Sequence, residues 1–226
     1  MNDIDKAISR MLPHGAWCSK EKAKAMMEII IRDAPQITVE IGVFAGDTLF
    51  LIAKAVQLAN NGGKVFGIDS WSAGASIDGM VVGGTNHVYW SKINYDSIHK
   101  LAKTRLHDLY KLGSVCELIQ SLSDDPAMLG RFTDGSVGFL HLDGNHSAPH
   151  PMNDVKAWLP KLASWATIVV DDVNWVEGGE WTVRLAMEWL LANGCDYMVD
   201  EEGEPIAIGQ SVFLKRLNAQ KEIPSA

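Results

Sequence analysis

The chain is poor in several features that would place a protein at once. Cysteine is scarce: Cys18, Cys116 and Cys195 are odd in number and far apart. That spacing suits neither a disulfide framework nor a cysteine metal site and leaves ordinary, mostly buried thiols. Positive charge is in deficit. With 20 Lys plus Arg against 28 Asp plus Glu the net charge is -8, so a non-specific grip on nucleic acid or anionic lipid would work against repulsion, and neither is expected as a partner. Long hydrophobic runs are missing too. "AMMEIII" at 25–31 is short, contains Glu28 and lacks a small-residue cleavage pattern, so it fits neither a signal peptide nor a membrane span, and a cytoplasmic location is expected. Without a fixed-period repeat, low-complexity tract or Pro/Ser linker, the 226 residues are expected to form one domain, 1–226, opened by a helical segment over 1–35.

The order of elements carries the fold. "ITVEIGV" (37–43) is a β-branched run entering a glycine turn, and "DTLFLIAKAVQLAN" follows with helical periodicity until "NGG" stops it. Further strands are predicted at 64–70, 114–121, 137–143 and 166–172, with helices at about 96–111, a short one at "DDPAMLGRF" with an acidic cap and an early proline, and one at "MNDVKAWLPKLA". A helix at "GEWTVRLAMEWLLANG" precedes a closing β-hairpin built from "DYMVD" and "IAIGQSVFLKR" around "EEGEP". Alternating strands and helices predict an α/β fold: a single doubly wound, mainly parallel sheet covered on both faces, with an antiparallel hairpin at its end. The stretch 71–95, rich in glycine and aromatics, reads as an irregular lid or substrate loop.

In open sheets of this kind ligands gather beyond the carboxyl ends of the strands, where the strand order reverses. "EIGVFAG" has Gly42 and Gly46 but no third glycine, so it lacks the usual pyrophosphate cradle. Such a turn, with Glu40 nearby, suits a cofactor without a phosphate, for which S-adenosylmethionine is the candidate. Asp69 ends the second strand 27 residues after Gly42 and is placed to accept from ribose hydroxyls, with Ser70 beside it. Thr48, in the first turn of the following helix, could hold the cofactor carboxylate, and Ser121 at the third strand's tip could meet the adenine edge. Each of these residues could equally serve packing or capping alone.

"FLHLDGNHSAPH" (139–150) ends a buried strand in Asp143 and His146, which are the catalytic candidates; Asp143 would also face the cofactor. If the fourth and fifth strands are neighbours, Asp143 meets Asp171 and Asp172 of "VVDD". Three carboxylates at one spot would be relieved by a hard divalent cation such as Mg²⁺ with all three as ligands. The alternative is that the acids diverge, since successive strand residues point to opposite faces. His146, with an ordinary pKa near 6.5, suits a general base. His87, His99, His107 and His150 read as solvated loop histidines. Trp17, Trp71 and Trp175 are open between pocket wall and core.

Taken in order, "TVEIGVFAGDT", "VFGIDSW", "FLHLDGNHS" and "IVVDDVNW" resemble the class I S-adenosylmethionine-dependent methyltransferases, within them the divalent-metal-dependent O-methyltransferases of the macrocin and cephalosporin-hydroxylase-like group, over about Ala16 to Trp189. The resemblance implies a cofactor turn at Glu40, Gly42 and Gly46, a ribose contact at Asp69, metal ligands at Asp143, Asp171 and Asp172, and a base at His146. Chelation by such a metal predicts a small-molecule acceptor with vicinal oxygens, a sugar diol or a catechol; the alternatives are a metal-independent methyltransferase with structural acids and a non-catalytic module that binds S-adenosylmethionine. "SWAT" stands where the family has a glycine pair, and "HSAPHP" replaces its aromatic and acidic residues after the histidine. Exposed apolar surface on the first helical segment or the hairpin could support a homo-oligomer.

Overall fold

Two capped helices open the chain. In the computed structural model, which describes residues 2–217, α1 (Asp3–Met11) begins at Asn2, whose side chain accepts from the Asp5 N–H at 2.8 Å. Met1 and residues 218–226, which belong to the expected 1–226 domain, lie outside the described residues. Helix α2 (Lys20–Asp33) is capped by Ser19, which accepts from the Lys22 N–H at 3.1 Å. Its buried stripe runs Lys22, Ala23, Met26, Met27, Ile29 and Ile30, so a lysine heads an otherwise apolar face.

Strands and helices then alternate as expected: β1 (Ile37–Ile41), α3 (Leu49–Ala59), β2 (Lys64–Asp69), α4 (Ala73–Ile77), α5 (Thr85–Trp90), α6 (Tyr95–Thr104), β3 (Cys116–Gln120), α7 (Pro126–Leu129), β4 (Val137–Leu142), α8 (His150–Trp158), β5 (Leu162–Val170), α9 (Thr182–Ala192), and the short closing strands β6 (Cys195–Tyr197), β7 (Ala207–Ile208) and β8 (Ser211–Arg216). The sheet order is β3-β2-β1-β4-β5-β8-β6, with β7 paired to β8. The first five strands are parallel, and β8 runs antiparallel to both β5 and β6. This is the doubly wound, mainly parallel sheet with an antiparallel edge that the periodicity predicts.

The strand order reverses between β1 and β4, so their carboxyl ends flank an open crevice. Side-chain alternation sorts the two faces. Val39, Ile41, Leu140, Leu142, Ile168 and Val170 pack under α7, α8 and α9 around the fully buried Trp158. On the opposite face Val65, Phe139, Val169 and Phe213 pack with α1, α2, α3 and α6. Glu40 and His141, register partners in β1 and β4, belong to this second face. All three cysteines are free and buried, in line with ordinary thiols. Among the described residues no helix is long and apolar enough to cross a membrane.

Several local expectations differ. The stretch 71–95 is not irregular throughout but holds α4 and α5. The helix expected over about 96–111 is α-helical only to Thr104 and continues as a π-helical turn, Arg105–Leu109. That turn carries Arg105, which donates to the Ala45 carbonyl at 2.8 Å and to Asp47 at 2.6 Å, tying the helix to the glycine turn. The fifth strand starts at Leu162 and not at 166, and the Trp165 ring lies over the space above Gly138, where a Cβ would clash. Leu162 accordingly belongs to β5 and not to the helical face of Val155 and Trp158. One histidine expected in solvent is buried instead: His99 stacks on Trp71 at 4.0 Å between centroids, and Trp71 packs in the core on the Val65 and Phe139 side of the sheet.

Gly42, at the tip of β1, has φ +86°, and any side chain there would overlap the carbonyl oxygen of Asp143. Gly42→Ala is therefore expected to destabilise the fold by at least about 2 kcal/mol. Gly62 has a similar φ of +79° but open space around it, so Gly62→Ala should cost only about 1 kcal/mol. Denaturant midpoints of the two variants test the difference.

Candidate active site

A cavity of about 690 Å³ opens at the crevice between β1 and β4. Its floor is the glycine turn. The Gly42 N–H donates to the Ile68 carbonyl at 2.9 Å, and Gly46, at φ +85°, lies against the Phe50 ring. Asp69 holds this turn from the next strand: Oδ2 accepts from the N–H groups of Val43 and Phe44 at 3.0 and 2.8 Å, and Oδ1 from Trp71 at 2.7 Å. Burial raises the Asp69 pKa, against the pull of those three bonds. Thr48, Ser70 and Ser121 line the same cavity, and Ser121 donates its N–H to the Asp69 carbonyl at 3.0 Å. Of the residues assigned to the cofactor from the sequence, Glu40, Gly42, Thr48, Asp69, Ser70, Ser121 and Asp143 line this cavity, and Gly46 does not. Asp69 does more than line it, since most of its carboxylate is engaged in shaping the turn.

The acids at the tips of β4 and β5 divide into two groups. Asp171, two residues beyond Val169, shares the face of His141 and Glu40, while Asp172, with φ +53°, turns the other way. In the first group His141 Nδ1 donates to Glu40 Oε1 at 2.8 Å, and its Nε2 lies 3.6 Å from Asp171 Oδ2. Asp171 also accepts from Lys22 Nζ and from the Ser211 hydroxyl, so both of its oxygens are engaged. Lys22 is only 5% exposed and reaches the cavity from the head of α2. Burial opposes the charge on His141, but the neighbouring Asp171 carboxylate and the hydrogen bond to Glu40 outweigh it and raise the pKa to about 9. Burial raises Glu40 to about 7 against the same His141 bond. Asp171 is held well below the usual carboxylate range: burial works against this, but His141 and Lys22 dominate.

In the second group His146 stands between two carboxylates. Its Nε2 is 3.5 Å from Asp143 Oδ1 and its Nδ1 is 3.5 Å from Asp172 Oδ2. Trp175 meets the imidazole edge-on at 5.1 Å, and the Thr182 hydroxyl donates to the His146 carbonyl, which holds the backbone that carries the ring. Burial opposes the positive form of His146; the nearby carboxylates of Asp143 and Asp172 prevail, and the pKa is raised. Asp143 and Asp172 thus flank His146, whereas Asp171 belongs to the Lys22 cluster.

Two sets of potential ligand atoms lie within 4.8 Å of one another: His141, Asp143 and Asp171, and Asp143, His146 and Asp172. Neither contains all three aspartates. In the first, Asp171 is already paired with the Lys22 ammonium, and in the second an imidazole is one of the potential ligands. The oxygen-only set that a hard ion such as Mg²⁺ prefers is therefore not assembled, and the donors do not fit it.

Over the cavity lies the segment 71–95. Asn145 donates from Nδ2 to the carbonyls of Ala75 and Asp78 at 2.8 and 2.9 Å, and Glu177 accepts from the Val81 N–H at 2.9 Å and from Asn86 Nδ2 at 3.0 Å. These bonds fasten the segment to the loops after β4 and β5. At the mouth Trp17 stacks on Phe44 at 5.4 Å, with Trp90 edge-on to both and Tyr89 beside them. Of the three tryptophans left open by the sequence, Trp17 and Trp175 line the cavity and Trp71 is core.

Sequence reasoning missed Lys22, His141, Ser211 and the lid anchors Asn145 and Glu177. Two of them left a trace: a lysine at the head of the Lys22-Met26-Ile30 stripe, and a histidine inside the otherwise apolar strand "VGFLHL". A polar group in such a place needs a buried partner.

A family model described as a methyltransferase domain matches residues 39–173. An uncharacterized protein of Sinorhizobium fredii (strain NBRC 101917 / NGR234), y4gI, is 24% identical over 170 residues, which is 74% of this chain but only 16% of that relative's length. Among solved structures, an O-methyltransferase from Bacillus cereus in complex with SAH is 12% identical, with 95% of this chain and 90% of that one covered and a TM-score of 0.58. TomG from Streptomyces achromogenes, an O-methyltransferase involved in tomaymycin synthesis and solved with SAM, is 17% identical, with 96% and 91% covered and a TM-score of 0.59. At these identities the shared property is the fold.

The charge on His141 gives a pH test. Its folded pKa lies above the ordinary 6.5, so its stabilisation is complete below that value and is lost as pH rises through about 9. The melting temperature is expected to fall across that window. A flat profile would show that the imidazole stays neutral in the fold.

Proposed function

The chain belongs to the methyltransferase-domain family, and on that premise we propose that it moves a methyl group from S-adenosylmethionine to a hydroxyl oxygen of a small molecule. The observation that carries this reading is that one cavity is bordered both by the glycine turn braced by Asp69 and by the imidazole of His146. The turn offers the close approach and the helix start that a phosphate-free nucleoside cofactor requires. The imidazole stands beside the same space.

Transfer from a sulfonium is an in-line displacement. As the acceptor oxygen forms its bond to the methyl carbon, the carbon–sulfur bond breaks, its electron pair stays on sulfur, and S-adenosylhomocysteine leaves. The hydroxyl proton must go elsewhere. His146 takes it, and the carboxylates of Asp143 and Asp172 on either side stabilise the imidazolium that results. Holding acceptor and methyl on axis is worth roughly 7–11 kcal/mol, and a positioned base typically adds about 10²–10⁴ in rate. The fastened segment 71–95 serves by keeping water from the sulfonium.

The mouth formed by Trp17, Phe44, Tyr89 and Trp90 suits an acceptor with a flat or carbohydrate face. The narrower expectation of an acceptor with adjacent hydroxyls depends on chelation by Mg²⁺. The donor set does not fit that ion, and the acceptor is a hydroxyl compound of the sugar or phenol type.

Two measurements test the reading. Asp69→Ala should weaken S-adenosylmethionine binding in calorimetry by loosening the turn; undiminished affinity would place the cofactor elsewhere. In assays over a panel of phenols and glycosides, His146→Ala should slow transfer by about 10²–10⁴. Because the His146 pKa is raised, the wild-type rate should climb with pH through a value above 6.5, and the variant should lose this limb.

A further inference from the structure

Lys22 is a cation with no part in the steps above. It is the first residue of the buried face of α2, 5% exposed, and its Nζ meets Asp171 Oδ2, 149 residues away in the chain. It also borders the cavity together with Asp143. A lysine is almost never buried unless paired, and here the pair sits at the strand tips and not in a remote part of the core. The Ser211 hydroxyl completes the shell of Asp171.

We propose that the Lys22 ammonium is the resident cation of the carboxylate cluster, so that the cluster excludes a divalent ion and methyl transfer proceeds without one. The second half of this statement rests on the methyltransferase reading; the first does not. Three aspartates, Asp143, Asp171 and Asp172, meet three basic groups of the chain itself, Lys22, His141 and His146, interleaved with them. The repulsion that would recruit a metal is already relieved. An ion ligated by Asp171 would have to displace Lys22 from its buried pair or sit within ion-pair distance of a like charge.

The test is a titration of the purified full chain with Mn²⁺, read by electron paramagnetic resonance, with and without S-adenosylmethionine and with Mg²⁺ as competitor. The wild type is expected to bind no stoichiometric ion at the cluster. Lys22→Met, which removes the charge and keeps the bulk, should bind Mn²⁺ at least about ten-fold more tightly, and Lys22→Arg should exclude it as the wild type does. One Mn²⁺ bound by the wild type and lost in Asp143→Asn overturns the proposal, whether or not Lys22→Met folds. So does a folded Lys22→Met that binds no better than the wild type. Calorimetry of S-adenosylmethionine on the same samples separates the two readings, since loss of cofactor binding counts against methyl transfer and leaves the metal result standing.

Discussion

Asp171 is a largely buried carboxylate, and a buried charge persists only if another charge and enough hydrogen bonds meet it. Lys22, Ser211 and His141 meet it from three separate parts of the chain: the first turn of α2, the start of β8 and the end of β4. This convergence locks the N-terminal helices and the closing antiparallel strands onto the carboxyl edge of the parallel sheet. The cavity wall on that side is therefore as rigid as the core beneath it. Removing one partner would leave the others with uncompensated charge, which is why the cluster behaves as a unit and not as a set of separable contacts.

The opposite wall is held by a different device. Gly42 lets the turn after β1 lie directly on the Asp143 backbone, and Asp69 gathers three N–H groups of the surrounding loops. One wall is fixed by close approach of backbone, the other by paired charge. Between them His146 remains adjustable in charge, flanked by two acids that are themselves partly open to the cavity. A site that must accept and release a proton needs this contrast: rigid neighbours and one group free to titrate.

The roof has little packing of its own. Helices α4 and α5 bury no residue within their short spans and are fastened by Asn145 and Glu177. A few exposed hydrogen bonds open more easily than a packed interface, so this segment is where entry of ligands is least costly. The anchoring residues sit on the loops that follow β4 and β5, which makes the position of the roof depend on the same strand tips that carry the chemistry.

The chain's own letters determined the order of strands and helices, the glycine turn, and the polar residues at the strand tips, because periodicity, turn chemistry and strand ends are local properties. The parallel sheet with its antiparallel edge follows from that order. The sequence could bring Asp143, Asp171 and Asp172 to one end of the sheet, yet it could not say which way each carboxylate faces. That was decided by the register of β4 against β5 and by the positive φ of Asp172, which send adjacent aspartates to different partners. Likewise Lys22 is a helix-start lysine in the text, and only the docking of α2 on the sheet turns it inward to Asp171. Pairing between groups 149 residues apart depends on how whole elements pack, and no local pattern encodes that distance.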